Sequence, residues 1–141
     1  YIIVGQDTDG SVTVADLGHG WALSKTKTDF LGKRSLSRPD TLRKDRKQLV
    51  GLITSDPNTV IPEGAQLVDE PHAPKPLPMI GHVSSSYYSA CCGHSIAIAL
   101  VKGGHHRLGE TVYAPLANGQ IIEATITDPV FYDKAGAKPN A

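Results

Sequence analysis

Neither sign of charge is in excess in this chain: fourteen lysines and arginines balance fourteen aspartates and glutamates over 141 residues. Such a chain has no global field for a polyanion or an anionic bilayer, so partners must be argued from local sites. Long apolar runs are missing too, and none approaches the roughly 18 residues that a membrane-spanning helix needs. The expectation is a chain that engages neither nucleic acid nor membrane. Cysteine is scarce, with only Cys91 and Cys92, which are adjacent. A disulfide between neighbours closes a small strained ring and cannot staple distant loops, so a reducing cytoplasm suits the chain. Glycine-rich phosphate loops and the dinucleotide fingerprint are also absent. "KGGHHRLGE" (102–110) follows a strand pattern without opening a helix, which leaves nucleotide binding without support.

What is present suffices for one compact unit. A chain of this length with 40% hydrophobic residues can bury one core, and a second independent domain would be difficult to build. It opens on Tyr1-Ile2-Ile3-Val4, an apolar, strand-like run with nothing before it to pair with, which reads as the cut edge of a longer protein. Asp9-Gly10 supplies turn chemistry, and Thr13 to Asp16 carries a capping-box pattern for a single helical turn, stopped by Gly18 and Gly20. Asp29 is placed to cap a short helix over Phe30 to Leu36.

From Gln48 the period changes to two, which sends alternate side chains to opposite faces of a sheet. Strands are expected at 48–54, 65–68, 79–90, 95–101, 111–116 and 121–127, with a type I turn at Ile61-Pro62-Glu63-Gly64 and a hairpin turn at Asn118-Gly119. Four prolines between Pro71 and Pro78 mark an extended surface connection. In "SIAIALV" (95–101), Ile96, Ile98 and Leu100 share one face while Ala97 and Ala99 leave the other narrow, as a tightly curved sheet requires. Ile122, Ala124 and Ile126 are expected to point inward. Five or six short strands with little helix argue for a mainly β fold, a small antiparallel barrel or sandwich that hides its edges.

Candidate chemistry is concentrated in a few groups. Cys91 and His94, with His105 and His106 from the neighbouring turn, have a spacing that a metal could use. Successive strand residues face opposite sides, however, so Cys91 and Cys92 do not easily join one tetrahedron, and packing at a strand end is the simpler role. A cysteine nucleophile would need a base and an orienting carboxylate, yet no acidic residue occurs between Glu70 and Glu110. No metal ligand and no catalytic residue is assigned. "SSSYYS" (84–89) offers hydroxyls either to a polar ligand or to solvent on an open sheet face. Seven of the fourteen basic residues lie between Lys33 and Lys47, against two aspartates. Without interleaved aromatics this reads as a solvated linker, the alternative being an independent β-barrel module that binds phosphate or nucleic acid.

Taken in order, several stretches resemble one family. "IIVGQDTDGSVTVADLGHGW", "KTKTDFLGKRSL", "RKQLVGL", "PEGAQLV", "GHVSSSYYSA", "IAIALVKGG", "LGETVYAPL" and "DPVFYD" are similar to the aminomethyltransferase (glycine-cleavage T-protein) family. "GKRSL", "DRKQLVGL" and "DPVFYD" point to its branch formed by the C-terminal ends of heterotetrameric sarcosine oxidase alpha subunits. The resemblance implies a mainly β C-terminal barrel over residues 46–141. It would be preceded at 1–45 by a partial α+β segment, the remnant of a folate-binding domain with a short helical linker. It also implies a parent enzyme that oxidises sarcosine with FAD, FMN and NAD bound elsewhere and hands the one-carbon unit to tetrahydrofolate. The implied partners are the N-terminal part of the alpha subunit and the other subunits of a cytoplasmic complex. A T-protein-like aminomethyltransferase or a dimethylglycine-oxidase-like enzyme is the neighbouring alternative. The family's catalytic aspartate and pterin-holding glutamate match nothing here, so these residues alone are expected to be catalytically silent. Lys25, close to a ligand-contacting arginine of the family, and Tyr132 in "DPVFYD" are the implied folate contacts, and Trp21 is implied to pack a domain junction.

Overall fold

A computed structural model describes residues 2–138; Tyr1 at the head of the expected first strand and Pro139 to Ala141 in the tail lie outside the described residues. The strands are β1 (Lys47–Thr54), β2 (Gln66–Leu67), β3 (Gly81–Ser89), β4 (His94–Lys102), β5 (Thr111–Pro115) and β6 (Ile121–Thr127). They form one antiparallel sheet in the order β2-β3-β4-β1-β6-β5. Its two outer strands meet: the Val68 N–H donates to the Tyr113 carbonyl at 2.9 Å and the Tyr113 N–H donates back at 3.0 Å. The sheet is thereby nearly closed into a barrel, which leaves little unpaired edge.

The lumen explains the residue pattern. Ala97 and Ala99 of β4 point inward, directly opposite Leu52 and Val50 of β1, so small residues face large ones across a narrow interior. Ile122, Ala124 and Ile126 of β6 are inward as the alternation predicts, with Glu123 and Thr125 outward and exposed. Ile96 and Ile98 lie on the outer face, half-buried. The Asn118-Gly119 hairpin closes with the Leu116 N–H donating to the Gln120 carbonyl at 2.8 Å.

Several expectations need correction. The third strand begins at Gly81, not Met79, and contains a bulge between Val83 and Ser85. The turn after Ile61 is shifted by one residue: the Ala65 N–H donates to the Pro62 carbonyl at 3.1 Å, and Gly64 takes φ +79° at the third position, a type II geometry that glycine permits. Ile2 to Val4 form no strand; Val4 makes only an isolated bridge to Thr8 and is 89% exposed. The helix expected from Phe30 is a 3-10 helix at Lys33–Ser37 entered from Gly32. A second such turn covers Gly20–Ala22, and a third, Gly104–His106, follows β4.

The single turn at Thr13 to Gly18 does form. The Thr13 N–H and hydroxyl donate to the Asp16 carboxylate (2.9 and 2.8 Å), and the Asp16 N–H donates back to the Thr13 hydroxyl at 3.2 Å. Gly18 ends it at φ +74° with the paired bonds of a Schellman motif, from the His19 N–H to the Val14 carbonyl and from the Gly18 N–H to the Ala15 carbonyl.

Candidate functional site

Polar anchors hold residues 2–46 against the barrel wall. Asp7, wholly buried, accepts hydrogen bonds from the Ile3 N–H at 2.7 Å and from the Ser84 and Ser85 hydroxyls at 2.5 and 2.9 Å. The bulge of β3 is what places both serines on one carboxylate. The start of the hydroxyl run is thus neither a ligand site nor a solvated face, since Ser84, Ser85 and Ser86 are buried and serve Asp7 and the β4 carbonyls. A second anchor joins Asp16 to Arg46, whose Nε lies 3.1 and 3.0 Å from the two carboxylate oxygens and whose terminal nitrogen is 2.8 Å from Oδ2. Burial pushes the Asp16 carboxyl up, but the Arg46 and Thr13 donors outweigh it and hold it below the ordinary carboxylate value. Arg46 also binds Asp40 at 2.6 Å, and Arg43 binds Asp45 at 2.7 Å, so both aspartates of the basic stretch are taken up by its own arginines.

Between the Leu17–Trp21 turn, β1, the Gly104–His106 turn and Asp128–Val130 lies a hollow of about 320 Å³. His105 closes its base, taking the Gln48 side-chain oxygen on its N–H at 2.9 Å and lying with Nε2 3.2 Å from the Leu49 carbonyl. The Trp21 ring stands at the rim, 77% exposed, with its centroid 6.0 Å from that of His19. His19 Nδ1 is buried without a hydrogen-bond partner. An aromatic face beside an unsatisfied imidazole nitrogen suits a flat, polar ring that stacks and makes one hydrogen bond. Asp128 is held below its ordinary pKa by Lys134 at 2.7 Å and by the Val130 N–H.

The two residues implied as ligand contacts flank this hollow in the chain without lining it. Lys25 is exposed four residues beyond Trp21, and Tyr132 is half-exposed two residues beyond Val130, with the Lys138 ammonium on its hydroxyl and 3.9 Å from its ring centroid. Trp21 is not covered by any described residue to the extent that a packed junction requires. His19 was not legible as a lining residue, since an isolated histidine before a Gly-Trp pair has no spacing signal. Cys91 and Cys92 do not pack at a strand end; both are free and exposed in the tight Ala90–Gly93 turn between β3 and β4. Among the described residues, no three histidine, cysteine, aspartate or glutamate side chains come together as a metal cluster would.

An antiparallel barrel with its preceding arm packed on the outside defines a recognisable class. Residues 47–133 match the glycine cleavage T-protein C-terminal barrel domain, and the chain belongs to that family. Among curated relatives, the sarcosine oxidase subunit alpha of Corynebacterium sp. (strain P-1) is 45% identical over 140 residues, covering 98% of this chain and 14% of its own length. The aminomethyltransferase of Thermotoga petrophila is 28% identical over 132 residues, covering 94% of this chain and 33% of its own length. In three dimensions the chain is similar to the glycine cleavage system aminomethyltransferase T of Bartonella henselae. That match has a TM-score of 0.75 at 22% identity and covers 95% of this chain and 36% of that one, which establishes the fold. The chain therefore spans a minor part of the length of each of these relatives.

Proposed function

We propose that this chain acts as the C-terminal part of a sarcosine oxidase alpha subunit and forms one wall of a folate channel. The observation that carries the reading is the identity of 45% across 98% of the chain, arm and tail included, where the aminomethyltransferase reaches 28%. In this reading the parent removes two electrons from sarcosine, with FAD, FMN and NAD held outside these residues, and tetrahydrofolate takes up the one-carbon unit. The chain alone contributes no reacting group. Its hollow of about 320 Å³ is at the lower limit of ligand pockets, roughly 300–1,000 Å³, and so fits one ring and not a whole folate. Trp21 would offer the stacking face, His19 Nδ1 the hydrogen bond, Lys25 a cation for a carboxylate tail, and Tyr132 a ring or hydroxyl. The remaining wall, with the catalytic groups, would come from the N-terminal part of the subunit, inside a heterotetramer of the reducing cytoplasm. Free, exposed Cys91 and Cys92 suit that compartment.

The test uses the complete alpha subunit assembled with its partners. Lys25→Gln and Trp21→Ala are each expected to raise the tetrahydrofolate concentration needed for half-maximal one-carbon capture by about tenfold, the loss of one charge-assisted or stacking contact of about 1.4 kcal/mol. Sarcosine-dependent flavin reduction should stay unchanged. Unaltered folate saturation in both variants would refute the channel-wall role.

A further inference from the structure

On the outer face of the barrel, away from the hollow, lies a groove of about 910 Å³ between the Gly5–Val14 arm and the Ser35–Arg46 linker. Its floor is made by strands. Lys47 of β1 and Lys102 of β4 are direct cross-strand partners, so both ammonium groups leave the sheet on the same side. Like charges placed opposite each other in a ladder are destabilising. Neither lysine forms an ion pair among the described residues. His82 of β3 stands opposite Leu100, which is two residues before Lys102 on the same face, and its Nδ1 is 3.4 Å from Lys47 Nζ.

The carboxylates nearest this cluster are engaged elsewhere. Asp9 accepts the Ser11 N–H and hydroxyl at 2.7 and 2.6 Å, and Asp45 is bound bidentately by Arg43. Three cationic or titratable groups thus converge in a concavity from three adjacent, hydrogen-bonded strands, and none of them forms an ion pair among the described residues. Paired strands fix the backbone from which these side chains leave, so binding carries no cost for ordering a loop.

We propose that Lys47, His82 and Lys102 form a binding site for a multiply charged oxyanion, a phosphate or a polycarboxylate, on the floor of this groove. None of the three lines the hollow near Trp21, so the site stands or falls independently of the folate reading. The charged groups acting on His82 are Lys47 from β1 and Asp9 from the arm, and Lys102 from β4 lines the same groove. Burial, and then the Lys47 ammonium, hold the imidazole below its ordinary pKa against a weaker opposite pull from Asp9. A bound oxyanion favours the protonated ring and reverses that balance.

The experiment measures the pH profile of His82 modification by diethylpyrocarbonate, read by peptide mass spectrometry in the complete polypeptide that carries these residues. Exposed His72 and His106 are internal references. At low salt, saturating pyrophosphate or tricarballylate should raise the His82 midpoint by about one unit, a tenfold preference of the anion for the protonated site. The anion that does so identifies the source as phosphate or carboxylate. In the Lys47→Gln/Lys102→Gln variant, the midpoint should be higher without anion, because the repulsion is gone, and indifferent to either anion. A wild-type midpoint that neither anion moves overturns the proposal. So does a shift shared equally by His72 and His106, or a double variant that responds as the wild type does.

Discussion

Arg46 draws three parts of the chain together with one planar fork: the Asp16 carboxylate 30 residues upstream, the Asp40 carboxylate in the linker and the Ser11 carbonyl in the arm. Asp16 is nearly fully buried, so truncating its partner leaves a desolvated charge behind. Arg46→Ala is expected to cost about 3–5 kcal/mol in chemical unfolding at neutral pH. Arg46→Lys should recover only part of this, because an ammonium does not span both carboxylates. The pH dependence has a definite sign. Asp16 has a folded pKa below its unfolded value of about 3.9, so its contribution is complete above that value and is lost as pH falls through the lower, folded one. The stability gap between wild type and Arg46→Ala should therefore narrow on acidification, and a gap that stays constant would mean the pair is not what anchors the arm. Asp16 was legible as the acidic end of a capping box, and that bond pattern is present. Its bond to Arg46 was not, because local propensity has no information about a residue so far along the chain.

At the scale of elements, β1 is the hub, paired with β4 on one side and β6 on the other. Gly51 sits in its middle on the outer face, where the segment after β6 crosses it. A Cβ at this position would stand 2.6 Å from the Asp128 carbonyl oxygen and 2.7 Å from the Phe131 ring. Backbone cannot yield as a flexible side chain does, so Gly51→Ala is expected to destabilise by about 1–3 kcal/mol through overpacking. The double variant with Phe131→Ala should cost less than the sum of the single changes, since removing the ring relieves part of the clash. Full additivity in thermal unfolding would place the strain elsewhere. The strand over 48–54 was evident from its period, but the period does not account for the glycine inside it. The reason for it, the close passage of a chain segment 77 or more residues later, is tertiary. The same limit applies to the β3 bulge, where a run of serines conceals the one-residue register shift that turns two hydroxyls onto Asp7.

The whole molecule is a barrel whose wall is uneven. Ladders of seven and eight partner pairs join β1 to β4 and β3 to β4, whereas the seam between the two outer strands consists of the Val68–Tyr113 bridge and its two hydrogen bonds. Alternation made the inward face of β6 legible and separated the two faces of β4, because a narrow lumen restricts volume at every second residue. Closure was legible only as a need to hide edges; which residues meet there depends on the path of the proline-rich connection, and prolines exclude structures without prescribing one. Outside the wall, residues 2–46 rely on hydrogen bonds and ion pairs at Asp7 and Asp16 more than on buried apolar surface, since Val4, Trp21, Leu31 and Leu42 are exposed. Local opening follows the number of buried contacts that must be broken, so amide exchange should be graded. Amides of Val50 to Leu52 in β1 are expected to exchange slowest, at the rate set by global unfolding. Those of Val68 and Tyr113 should exchange sooner, through seam opening that leaves β1 paired, and those of the 2–46 arm soonest. Raising denaturant should merge the β1 class with global unfolding while leaving the arm's exchange nearly unchanged, because little surface is exposed when the arm detaches. If Val68 and Tyr113 prove as protected as Leu52, the seam opens only with the whole barrel, and the uneven wall seen in the hydrogen-bond pattern has no energetic counterpart.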